Sequence, residues 1–305
     1  MEKHRKKLIK NATVFDGHSS GLAQGKKIVI EDDIVTEITA DEVSEENFDE
    51  VFDGTGMVAM PGMTDAHVHM GCLFAKGEFP VDYATVLTVA KCKDALMAGF
   101  TTFRDAGSVS EGLKLAFDEG VLPGPRIYPC GAYISQTCGH GDSEYAHTYR
   151  DIQYRYPSSA VLADGVPEII RAVREQFYRG ASHIKLMATE ILNRHEDIGL
   201  LFGTDMMITG PDYQVEQSED IRYYEKRFGT MRALRALTGT ANEVFALTTY
   251  QNPYPKGKIG VLEAGSYADL LLVDGDPTKR VSVLADTDHL RLIMKGGTVY
   301  KNTLC

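Results

Sequence analysis

Cysteine is scarce in this sequence, and what there is forms no pairing pattern. Cys72, Cys92, Cys130, Cys138 and Cys305 include no CxxC and leave one residue over, which argues against a disulfide framework or a cysteine zinc knuckle. A cytoplasmic, reducing location is the expectation. Long apolar runs are missing too: no window approaches the roughly twenty residues of a membrane span. The basic start "MEKHRKKLIK" leads into "NATVFDGHSS", with no apolar stretch between, so it reads as a solvated edge and not as a signal peptide. Positive charge is in deficit, with 32 Lys and Arg against 43 Asp and Glu and a net charge of -11. That balance disfavours nucleic acid and anionic membrane surfaces as partners. Neither is expected as a partner, and a homo-oligomer stays open.

With 43% apolar and 25% charged residues, the composition is that of a globular chain with a sizeable core. The first sixty residues read as short strands separated by turns: "LIKNATVFDG", "KKIVIEDDIVTEIT" and "FDEVFDGTGMVAMPG". The last fifty resemble them, in "GKIGVLEAGSYADLLLVDGDP" and "LRLIMKGGTVYKN". Residues 1–60 and 257–305 are therefore expected to build one composite β-sandwich domain, with residues 61–256 inserted into it.

The inserted part changes rhythm. "VDYATVLTVAKCKDALMA" has helical spacing and is broken by Gly99 before the strand-like "FTTFRDAG". The pattern recurs in "EGLKLAFDEG" before "PRIYPCGAYIS", and in "PEIIRAVREQFYRG" before "SHIKLMA". Alternating helix and strand predicts an α/β domain with a parallel sheet, open or closed into a (β/α) TIM-type barrel. Polar residues collect at the C-terminal ends of the strands, in "TDAHVHM", "FRDAG", "KLMAT" and "FGTD". This favours the barrel, whose catalytic groups project from that face.

His67 and His69 stand two apart on a predicted strand, so both imidazoles leave one side of the sheet, as ligands of a zinc-like ion would. Lys185 lies in the apolar run "IKLMA", where burial favours the neutral amine. A neutral amine can take up carbon dioxide to form an anionic carbamate ligand, although a lysine paired with a carboxylate gives the same pattern. Asp205 in "LLFGTD" is a ligand, a general base or a helix cap. His140 in the glycine-rich "QTCGHGDSEY" is a candidate substrate contact or an exposed loop residue. His183 is expected to make a strand-edge hydrogen bond, and Arg104 is expected to be structural. "SHIK" matches S-x-x-K, but its serine lies in a strand-like run and no GxSxG occurs, which speaks against serine hydrolysis.

Taken together, "MPGMTDAHVHM", "TTFRDAG", "GHGD", "IKLMAT", "FGTD" and "GKIGVLEAGSYADLLLVDGDP" resemble the amidohydrolase superfamily, in its imidazolonepropionase-like and Xaa-Pro dipeptidase branch. The resemblance runs from about residue 8 to 302. It implies a metal-binding (β/α) barrel with a composite sandwich, metal ligands at His67, His69, Lys185 and Asp205, and Asp205 as the general base. The reaction implied is hydrolysis of a C–N bond in a small-molecule or dipeptide-like substrate by metal-activated water. Zn2+ is the implied ion, with Lys185 carbamylated.

The family pattern places two further histidines, each ending its own strand, between the lysine and the aspartate. Twenty positions separate Lys185 from Asp205 here, whereas one βα unit takes roughly thirty. The barrel is therefore expected to be truncated near residue 190, lacking strands five to seven, and to hold one ion and not two. A catalytically impaired scaffold or binding protein is the alternative.

Overall fold

The computed structural model describes residues 5–70, 81–107, 109, 111–137, 139, 141–142, 160–186, 200–207 and 213–304. In chain order, β1 (Lys6–Val14), β2 (Ala23–Glu31), β3 (Ile34–Thr39), β4 (Glu50–Asp53) and β5 (Val58–Pro61) lead into β6 (Met63–His69). Then come α1 (Val81–Met97), β7 (Phe100–Asp105), α2 (Glu111–Asp118), β8 (Arg126–Tyr128), β9 (Tyr133–Ser135), β10 (Ala160–Leu162) and α3 (Val166–Tyr178). The chain continues through β11 (Met206–Met207), α4 (Tyr213–Phe228), α5 (Thr230–Leu237) and α6 (Gly239–Ala246) to β12 (Leu270–Val273), β13 (Leu290–Lys295) and β14 (Thr298–Asn302). No helix among the described residues is long and apolar enough to cross a membrane.

Both chain ends contribute to one hydrogen-bonded sheet of eight strands, in the order β14-β13-β12-β5-β1-β2-β3, with β4 also on β1. β1 can serve two parallel partners because its register shifts after Ile9 and again after Ala12. Its first half pairs with β4, and Thr13 and Val14 pair with β5. Asn11 sits at that bend with φ 59, a left-handed conformation that asparagine tolerates better than most residues.

The run "LLLV" of β12 has no polar alternation because both of its faces are covered. Leu270 and Leu272 join Ile9, Ile28, Leu292 and Met294 in one core. Leu271 and Val273 join Phe100, Phe103, Leu234 and Ile293 in the other, which takes in the middle of the chain as well as its ends. A period of two thus fastens the terminal sheet to the middle of the chain.

In the inserted domain a parallel sheet runs in the order β11-β6-β7-β8. β9 and β10 pair in parallel, and Leu186 bridges to Ile134 of β9. Three expected elements differ. "PRIYPCGAYIS" is two short strands, because the turn at Gly131 (φ 71) interrupts it. "SHIKLMA" contributes that single bridge at Leu186 and no longer ladder among the described residues. Asp205 precedes β11 instead of ending a strand, and it neither starts nor caps a helix. The predicted shortening near residue 190 falls outside the described residues.

Candidate metal centre

β6 is buried along its whole length except at His67, which is half-buried. His67 and His69 leave the same face, as their spacing requires, and their ring centroids lie 5.4 Å apart. The segment before β11 runs beside β6: Ala66 N donates to Phe202 O, and Asp205 N donates to His67 O. Gly203 permits this approach, since a Cβ there would stand 2.8 Å from His67 Cβ. Asp205 then takes φ 54, a left-handed conformation uncommon in a non-glycine residue and least costly for Asp and Asn. The turn brings its carboxylate back over the histidines.

Asp205 Oδ1 lies 3.1 Å from His67 Nε2 and 3.3 Å from His69 Nε2. Lys185 Nζ lies 3.0 Å from the same His67 Nε2. Four side chains from three distant segments therefore meet at one point. The donor atoms of His67, His69 and Asp205 all lie within 4.8 Å of one another.

The donor chemistry fits a cation. Lys185 Nζ as an ammonium calls for a lone pair on His67 Nε2, while Asp205 Oδ1 facing the same atom calls for a proton, and one ring nitrogen cannot present both. A cation among them takes lone pairs from all. Burial, with the charge of Lys185 as the next contributor, pushes His67 down to about 4, which keeps the imidazole in its ligand form at neutral pH. Burial also lowers the Lys185 ammonium from its usual range, the direction that carbamylation requires.

Around this cluster lie groups that motif reading did not single out. Asp65, fully buried, accepts hydrogen bonds from Thr204 Oγ1 at 2.8 Å, Gln217 Nε2 at 3.0 Å, His67 N at 3.2 Å and Thr204 N at 3.3 Å. Burial raises its carboxyl to about 7 against the pull of those donors. Asp105, equally buried, accepts from Gly107 N, Val109 N and Met70 N at 3.2–3.3 Å, and its carboxyl is likewise raised to about 7 by burial. Asp65 could have been suspected, since it stands two before His67 on the same strand face. Gln217 gives no sequence signal.

His183 makes the expected strand-edge contact: Nε2 is 3.1 Å from Asp105 O and Nδ1 is 3.0 Å from Ser182 Oγ. A carbonyl only accepts, so Nε2 carries the proton. Burial, with Arg104 next, drives this ring down to about 3. Ser182 Oγ also lies 3.0 Å from Pro129 O, so it is occupied structurally. Arg104 Nη1 donates to Ala66 O at 3.3 Å, as a structural residue would. His140 lies outside the described residues.

The parallel sheet thus carries, beyond its strands, a His-x-His pair and an aspartate that could hold a metal ion. Residues 58–200 match the amidohydrolase family model. An ochratoxinase from Aspergillus niger is 34% identical over 152 residues, covering 43% of this chain and 31% of that protein; the matched stretch is thus about a third of the relative's length. A crystal structure of an amidohydrolase aligns with a TM-score of 0.84 at 22% identity, over 98% of this chain and 100% of that one. A Xaa-Pro dipeptidase with bound methionine aligns with a TM-score of 0.75 at 20% identity, over 97% and 100%. At such identities the solved structures speak for the fold, an α/β TIM-like barrel domain. Over residues 58–200, just under half of its length, the chain is similar to the amidohydrolase family.

Proposed function

We propose that this chain is a divalent-metal-dependent hydrolase of a C–N bond in a small N-acyl or peptide-like substrate. The observation that carries this reading is the convergence of His67 Nε2, His69 Nε2 and Asp205 Oδ1 within 4.8 Å, with Lys185 Nζ 3.0 Å from His67 Nε2. His67, His69, Asp205 and a carbamylated Lys185 would hold the ion, and Zn2+ suits a nitrogen-and-oxygen donor set of four. A bound divalent cation supplies Lewis acidity toward a carbonyl oxygen and lowers the pKa of water toward ~7.

The chain's own residues do the rest. Asp205, its side chain 72% exposed, is open to both water and substrate. Its carboxylate takes a proton from the attacking water and returns it to the nitrogen of the departing amine. His67 and His69 stay neutral and fixed, held by a strand buried on both sides. His140 is the proposed substrate contact. Four donors complete one site, so the proposal is one ion per chain, in a barrel lacking three strands between Lys185 and Asp205.

A hydrolysis assay over a panel of dipeptides and N-acyl amino acids tests the reading. Turnover abolished by a chelator, restored by Zn2+, and lost in His67→Ala is the expected result; turnover that survives both treatments rejects it. The exposure of Asp205 and the partial exposure of His67, at 35%, also favour a second reading: a scaffold that binds metal or substrate and turns over slowly. Ligand binding without measurable hydrolysis in the same panel would select that reading.

A further inference from the structure

We propose that Asp65 and Asp105 are paired positioning residues, each tying together two of the three segments that carry the candidate metal ligands: Asp65 through its carboxylate, Asp105 through its carboxylate and its main-chain carbonyl. This rests on the metal-centre reading above and extends it to residues that touch none of the reacting atoms.

Each residue reaches across two segments. The Asp65 carboxylate accepts from the backbone of His67 and from both the backbone and the hydroxyl of Thr204, the neighbour of Asp205. It thereby fixes the first histidine against the aspartate. Gln217 of α4 donates to the same Oδ2 at 3.0 Å, so a helix braces the joint from behind. The Asp105 carboxylate accepts from Met70 N, directly after His69. The main-chain carbonyl oxygen of Asp105, not the carboxylate, accepts from Nε2 of His183, two residues before Lys185. Asp105 thereby fixes the second histidine against the lysine.

Cost argues that these carboxylates are there to position. Both residues are 0% exposed, and a carboxylate so placed loses several kcal/mol of solvation that only well-aimed donors offset. An apolar side chain of similar volume would fill either space without that loss. What an apolar residue cannot do is accept from His67 N and Thr204 at the first position, or from Met70 N at the second. Metal ligands need placement to within about 0.5 Å, and among the described residues neither Asp205, at a left-handed turn, nor Lys185, next to a single β-bridge, is held by a long ladder. The two residues supply the constraint that secondary structure does not.

Thr204→Val is the sharpest test. It keeps the shape of the residue, removes the 2.8 Å hydroxyl donor to Asp65, and leaves every proposed ligand in place. Co2+ titration of the full chain, followed by visible absorption, is expected to show about tenfold weaker binding and an altered ligand-field spectrum, with Thr204→Ser restoring both. Asp65→Asn and Asp105→Asn are expected to weaken Co2+ by ~10–100-fold. Tyr254→Phe, which removes a buried hydroxyl contact to Asp118, should bind as the wild type does. Urea unfolding of every variant identifies those that remain folded. If folded Thr204→Val binds Co2+ with wild-type affinity and spectrum, the positioning role is overturned while the metal centre stands. If the wild type itself binds no Co2+, the metal-centre reading falls, and the positioning role with it.

Discussion

Buried charge at single residues sets much of how this chain responds to pH. Lys295 is 7% exposed and donates to Gly124 O. Burial lowers its ammonium from 10.5 to about 8, the charge of Asp269 acting in the opposite direction. Between those values the unfolded chain holds more protons than the folded one, so stability rises with pH across that window. Urea unfolding from pH 7.5 to 10.5 should show a rise on the order of 1–3 kcal/mol from this residue, and Lys295→Met should flatten it. An unchanged slope in the variant would reject the assignment. His67 works in the same direction at lower pH: its folded value of about 4 lies below the ordinary 6.5, so its contribution is complete above pH 6.5 and lost as pH falls toward 4.

Among the elements, β6 and the segment beside it carry the most information. Gly203→Ala would push a methyl group to 2.8 Å from His67 Cβ and force the two segments apart. We expect a stability loss of about 1–3 kcal/mol, together with weakened metal binding; a variant that retains wild-type values of both would show that the close approach is dispensable. β6 itself was legible in the sequence because "TDAHVHM" offers two histidines at a period of two. The helices α1, α2 and α3 were legible from their spacing and from the glycines that follow them. α4, α5 and α6 were not, since between Asp205 and the C-terminal strands no motif drew the eye. The left-handed turn at Asp205 was also illegible: six residues of "LLFGTD" look like a strand, and only the neighbouring histidine strand decides where the chain bends.

Across the whole molecule, the terminal sheet and the inserted domain are joined by a buried charge pair as well as by apolar cores. Arg126 of β8 reaches Asp269, just before β12, through Nε at 2.6 Å and Nη2 at 3.1 Å, with the Tyr267 ring 3.9 Å from its guanidinium carbon. Asp269 also accepts from Gly296 N. Removing one partner of such a pair strands the other, so Asp269→Ala should cost about 3–5 kcal/mol in urea unfolding; a loss under about 1 kcal/mol would mean that the apolar contacts alone hold the two parts together. That the chain ends share a sheet was readable from their common strand-and-turn style. Which residues clasp it to the middle was not, because Arg126 and Asp269 are 143 positions apart and neither belongs to a motif. The same holds for Asp65 and Gln217, separated by 152. The candidate ligands could be gathered from motifs, while the contacts of Asp65 and of Arg126 became visible only when the chain was folded.

Metal stoichiometry tests the central claim most directly. Elemental analysis of purified protein, equilibrated with Zn2+ and freed of loosely bound ions, should return about one equivalent per chain. It should fall well below that in His67→Ala and in Asp205→Asn, the latter chosen because asparagine accepts the same left-handed backbone. Two equivalents would contradict the single-ion site, and no retained metal, or equal retention in wild type and both variants, would contradict the centre altogether.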